Sequence, residues 1–169
     1  MQLIGMALLV AEVRAWNDNG AMAAKPHDAL RDVCPECGAP RVDGQNCREQ
    51  LGVIGAWEWQ DPALLALHFL TVASFNLQHP AQFTDAAIAG LRELFIAHLD
   101  QGMEVVEVRR RVARSTAGSV SVLKPEAERR PMLRHWSMTI ADVYTPGQPE
   151  GAAERVKAWA ATIRAELTV

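Results

Sequence analysis

Cys34-Pro35-Glu36-Cys37-Gly38 opens the stretch on which the chain is organised, and Gln78-His79-Pro80 closes it. Between them lie Cys47, Asp61-Pro62 and His68, so all three cysteines fall inside residues 34–80. This order reads as a metal knuckle followed by a helical hairpin. Two thiolates separated by two residues can reach one ion from a single tight turn. Pro35 sets φ for that turn, and Gly38 supplies the backbone freedom needed after the second cysteine. Asp43-Gly44 makes a second turn that returns the chain to Cys47. The spacing is C-x2-C-x9-C. Soft thiolates select zinc, and a structural zinc has four ligands, so three sulfurs require one more donor, usually histidine. Two other readings stand beside this one. A redox C-x2-C needs a βαβ setting, which the surrounding sequence lacks, and unligated buried cysteines are the plainer alternative.

The residues beyond the knuckle decide which histidine completes the set. Leu51, Ile54 and Trp57, with Val53, suit a helix from about Arg48 to Gln60 that begins at Cys47. Asp61-Pro62 is an N-cap followed by proline at the first helical position. A second helix is expected from Pro62 to about Leu77, with Leu65, Phe69, Val72 and Leu77 on its inner face; Pro80 limits its end. So tight a junction makes the two helices antiparallel neighbours. Counting outward from Asp61, Cys47 stands level with Ser74. His79 then lies toward the knuckle and is the expected fourth ligand. His68 lies about two turns back and is the alternative. The two histidines are about 16 Å apart on a straight helix, too far to share one ion. If His68 is not a ligand, it is a partly buried histidine bonded to a neighbour, with Glu58 nearest across the hairpin. Such a pair inside a helical core also marks a candidate site.

Outside this stretch the chain reads as helices. Met6, Leu9, Val10 and Val13 share one face of an N-terminal helix within Met1–Trp16. No positive charge precedes this stretch, Glu12 and Arg14 interrupt it, and it is too short to span a bilayer. Residues 21–33 read as a linker, so the chain divides into residues 1–33 and a domain over 34–169. Phe83-Thr84-Asp85 is a hydrophobic staple, N-cap and first-turn acid for a helix lined by Ile88, Leu91, Phe95 and Leu99 and stopped by Gly102. A helix from about Glu104 to Thr116 places Val105, Val108 and Val112 inside and Arg109, Arg110, Arg111 and Arg114 outside. Residues 117–134 are irregular. Thr139 and Asp142 form a capping box over a short helix, though alternation along 135–143 also allows a strand. A last helix from about Glu150 to Leu167 buries Val156, Trp159, Ile163 and Leu167.

Composition narrows the function classes. The 169 residues are 49% hydrophobic with a net charge of −3, so a core can form without a metal, and a metal clamps one end of it. The acidic balance argues against a general nucleic-acid binder. Eight of the 17 Lys and Arg fall between Arg109 and Arg134, either as a patch for an acidic partner or as a solvated face. Unpaired thiols in a C-x2-C indicate a reducing, cytoplasmic setting. Phosphate-loop, dinucleotide and nucleophile-elbow motifs are absent.

Cys-x-x-Cys-Gly, a cysteine opening a helix, Asp61-Pro62, His68, Thr71-Val72, Gln78-His79-Pro80, Thr139–Val143 and Trp159-Ala160 together resemble an uncharacterised bacterial family whose members are described only as a domain of unknown function. The resemblance covers roughly residues 34–165. It implies that residues matching Cys34, Cys37, Cys47, His68 and His79 belong to the family pattern, and it brings no activity. Many members carry tyrosine where this chain has Phe75.

The expected protein is thus an all-α bundle with a zinc knuckle at its N-terminal end, a metal-stabilised module for a protein or regulatory partner that does not enter membranes. One alternative is a metal-dependent hydrolase with an open zinc site near Glu58 and His68. A second is a binder of an anionic ligand or nucleic acid through Arg109–Arg134.

Overall fold

A computed structural model describes residues 32–115 and 122–167. The N-terminal helix expected within Met1–Trp16 lies outside the described residues, as does the linker up to residue 31. Among the described residues there are six α-helices and no strand, only isolated bridges. The helices are α1 (Cys47–Glu58), α2 (Pro62–Leu65), α3 (His68–Gln78), α4 (Asp85–Gln101), α5 (Val105–Ser115) and α6 (Ala152–Glu166).

Local signals place most of the ends. Asn46 caps α1, its side chain accepting from the N–H groups of Arg48 and Glu49, while the Glu49 carboxylate accepts from the Asn46 N–H. Asp61 Oδ1 accepts from the Ala63 N–H at 2.8 Å at the start of α2. The Thr84 side chain caps α4, and Gly102 ends it in the left-handed region at φ 65°. Thr139 and Asp142 form their capping box over a 3-10 turn, Ile140–Asp142, so the helical reading of this segment holds and the strand reading does not.

The expected continuous helix from Pro62 to Leu77 is broken. α2 is one turn long, Leu67 takes non-helical angles (φ −95°, ψ 5°), and α3 starts afresh at His68. The break changes the phase of the buried face. Leu64 is fully buried, whereas Leu65, expected inside, is exposed. Neither glycine nor proline marks the break. It lets α2 cover the bundle end while α3 enters the centre.

α3 is the central helix. Every residue from Phe69 to Gln78 except Val72 is buried, and the helix packs on α6, α4 and α1. α6 seals one side with Val156, Trp159, Ala160 and Ile163, all at 0% exposure. Full burial of such side chains contributes roughly 1.5–3 kcal/mol each. Near the knuckle, Gln78 Nε2 donates to the Met138 carbonyl at 2.8 Å, which ties the C-terminal loop to α3. Trp57 of α1 stacks on Tyr144 with ring centroids 5.7 Å apart.

Candidate metal centre

The knuckle is two small turns laid against the end of α3. In the first, the Cys34 N–H donates to the Ala39 carbonyl at 2.9 Å and the Gly38 N–H to the Cys34 carbonyl at 3.0 Å. Gly38 sits at φ 73°, a region that disfavours side chains. The Ala39 N–H points at Cys37 Sγ, 3.5 Å away. In the second turn Asp43 and Gly44 both have positive φ, and Val42 and Gln45 exchange backbone hydrogen bonds at 3.0 and 3.1 Å. Gln50, fully buried one turn into α1, donates from Nε2 to the carbonyls of Pro40 and Gln45 and fixes both turns to the helix. Cys47 is the first residue of α1.

His79 caps the C-terminal end of α3 with φ −128° and ψ 59°, outside the helix, as the following proline requires. Its Nδ1 lies 2.7 Å from the Phe75 carbonyl oxygen. A carbonyl only accepts, so Nδ1 carries a proton and donates it. The other ring nitrogen, Nε2, faces the cysteines, 3.4 Å from Cys34 Sγ and 3.3 Å from Cys47 Sγ. Phe75 stacks on the imidazole at 3.9 Å between centroids, fixing the ring plane. The donor atoms of Cys34, Cys37, Cys47 and His79 all lie within 4.8 Å of one another. Cys37, Cys47 and His79 are buried and Cys34 is half-buried. The four form a group that can hold one metal ion.

Crowding three sulfurs and an imidazole couples their protons. The Cys37 and Cys47 side chains hydrogen-bond to Cys34 and hold its thiol far below the usual range, against the effect of burial. Cys47 is pushed far up by its contacts with Cys34 and Cys37 and by burial. Burial lowers the His79 pKa, but the Cys34 and Cys37 sulfurs outweigh it and raise the ring to about 10. Together these shifts describe a thiolate beside an imidazolium, with protons where a cation would sit. A metal bound there would take the place of those protons.

Of the two histidines, the geometry brings His79 to the cysteines and takes His68 elsewhere. His68 Nδ1 lies 2.5 Å from Glu58 Oε2, the partner expected across the hairpin. Glu58 is 3% exposed, and its Oε1 has no hydrogen-bond partner among the described residues. Glu36, Gln50 and Phe75 were not expected at the centre. Gln50, three residues after Cys47, shares that cysteine's helix face, which was a usable signal. Nothing local marked Glu36 or Phe75.

The basic run disperses. Arg109, Arg110, Arg111 and Arg114 are exposed. Arg110 and Arg111 both bind Glu107, and Lys124 binds Asp85. Arg129, Arg130 and Arg134 donate to backbone carbonyls. No helix among the described residues is long and apolar enough to cross a membrane.

Neither the curated proteins nor the solved structures gave a match to this chain. One family model does match, over residues 32–168, a span that holds the whole knuckle and all six helices. The chain belongs to the family of unknown function DUF5946.

Proposed function

We propose that Cys34, Cys37, Cys47 and His79 hold one zinc ion as a structural clamp. The observation that carries this reading is the His79 ring, with Nδ1–H spent on the Phe75 carbonyl and Nε2 turned to the sulfurs. That is the tautomer a metal-bound histidine needs, set by its outer hydrogen bond. The spacing supports zinc as well. Bonds of about 2.3 Å to sulfur and 2.0–2.1 Å to nitrogen give a tetrahedral S···N edge of about 3.5 Å, against 3.3 and 3.4 Å here. Three thiolates also favour zinc over the oxygen-seeking cations.

A zinc with four protein ligands keeps no position for substrate water, which favours a stabilising over a catalytic role. Residues 34–169 then act as a cytoplasmic, metal-stabilised module for a protein or regulatory partner; the three free thiols fit a reducing compartment. The hydrolase reading is less well supported, because Glu58 and His68 bond to each other at the far end of α3 from His79. The reading of Arg109–Arg134 as one anionic-ligand or nucleic-acid surface is less well supported, because Arg110, Arg111, Lys124, Arg129, Arg130 and Arg134 already bond within the chain.

Elemental analysis of the purified chain tests the clamp. The expected result is one zinc per chain, retained on dialysis and lost in the triple Cys34, Cys37 and Cys47→Ser variant. A wild type without zinc, or a triple variant that keeps it, overturns the assignment.

A further inference from the structure

A groove of about 600 Å³ runs between α3, α4 and α5, away from the knuckle. Sites for small molecules span about 300–1,000 Å³ and are mostly apolar with a few polar groups. The walls here fit that description: Phe69 and Val72 of α3, Leu91 and Leu94 of α4, and Val108 and Val112 of α5. At the rim, Val106 is 76% exposed and Leu65 is 45% exposed, so apolar surface continues to the mouth.

One cation on the wall is equipped to receive a ligand. Arg109 lines the groove and makes no ion pair or hydrogen bond with any described residue. His68 lines it too, half-buried, with Nδ1 engaged by the buried Glu58 carboxylate. That bond fixes the ring and leaves Nε2 as its remaining polar atom. The other charged groups on the wall are Arg111, held by Glu107, and Glu93, exposed on α4.

We infer that this groove binds a small apolar carboxylate, its hydrocarbon part on the aliphatic walls and its head group taken by Arg109. Charge complementarity selects the head group: a guanidinium with no partner among the described residues, set in a mostly apolar wall, suits an anion. The groove shares no residue with the cluster of Cys34, Cys37, Cys47 and His79.

Calorimetric titration of the full chain with sodium octanoate, and with 1-octanol as the uncharged counterpart, tests this. The expected result is one saturable octanoate site per chain, with 1-octanol binding more weakly. Arg109→Gln should lower octanoate affinity about tenfold, as loss of a charge-assisted hydrogen bond does, and leave 1-octanol unchanged. Gly90 faces the groove, and a Cβ there meets no atom within 4 Å. Gly90→Trp should therefore fill the space and abolish binding of both compounds while circular dichroism stays that of the wild type. Absence of saturable octanoate binding overturns the inference. So does a folded Gly90→Trp that binds normally, an Arg109→Gln variant with unchanged octanoate affinity, or a groove that takes an amphipathic helical peptide and no octanoate.

Discussion

Glu36 Oε1 accepts the backbone N–H of Ala81 at 2.9 Å, joining the middle of the C-x2-C turn to the segment just past His79. The Glu36 carbonyl also accepts the Arg134 N–H at 2.9 Å, so one residue ties the knuckle to two other parts of the chain. Its carboxylate holds the first cysteine pair in register with the histidine 45 positions after Cys34.

Removing that carboxylate should loosen the site without deleting a ligand. Glu36→Ala is expected to lower stability by about 1.5–3 kcal/mol, the range for a hydrogen bond to a charged group, and to speed zinc loss to a chelator. Glu36→Gln keeps an acceptor and should fall between. Equal chelation rates for all three proteins would show that Glu36 does not position the knuckle.

The two histidines should separate cleanly. His79→Ala removes one of four donors, and zinc affinity should fall well beyond the 10–100-fold seen when only an outer partner is lost. His68→Ala should keep its zinc but lose about 1–3 kcal/mol, because the buried Glu58 carboxylate is left unpaired. Zinc content and a denaturant midpoint on each variant decide this; a zinc-free His68→Ala would contradict the geometry.

Zinc affinity should rise with pH. In the metal-free site the His79 ring holds its proton up to about 10 and Cys47 holds its own beyond the usual thiol range. Zinc must displace both, and each displaced proton adds about a tenfold gain in apparent affinity per pH unit below its pKa. Competition against a chelator of known pH dependence between pH 6 and 9 measures the slope. A flat profile would mean the ligands are already deprotonated in the free protein.

The exposed arginines of α5 should matter little for folding. Arg109, Arg110, Arg111 and Arg114 are exposed, and the Glu107 pairs are surface ion pairs worth about 0–1 kcal/mol. Replacing all four with Gln should move the thermal midpoint by only a few degrees, whereas Trp159→Ala, at 0% exposure in the core, should cost about 3–5 kcal/mol. A collapse of the quadruple variant in differential scanning calorimetry would show that α5 depends on its charges.

Elements specified by nearby residues were legible in the sequence. The caps at Asp61, Thr84 and Thr139 and the stop at Gly102 are short-range chemistry, and the structure places each as expected. The gathering of His79 with the cysteines was legible too, because a tight helix junction converts residue counts into positions. The break after Leu65 was not. Residues 62–70 read Pro-Ala-Leu-Leu-Ala-Leu-His-Phe-Leu, a run with good helix formers and no breaker, so only packing of the bundle interrupts it. The groove was hidden for a related reason. Val105, Val108 and Val112 read as a core face, yet only Val108 is buried, because α5 stands off its neighbours across the groove. Periodicity reports which face is apolar and says nothing about whether another element fills the space in front of it.

Cys34 and His79 lie 45 residues apart, and Cys47 and His79 lie 32 apart. An ion held between them is a crosslink that closes long loops of the unfolded chain, and the loss of chain entropy it imposes grows only slowly with loop length. Unlike a disulfide, this crosslink survives reductants and yields to chelators and acid. The durability of the fold would then follow the supply of free zinc around it, a dependence the apolar core alone would not have.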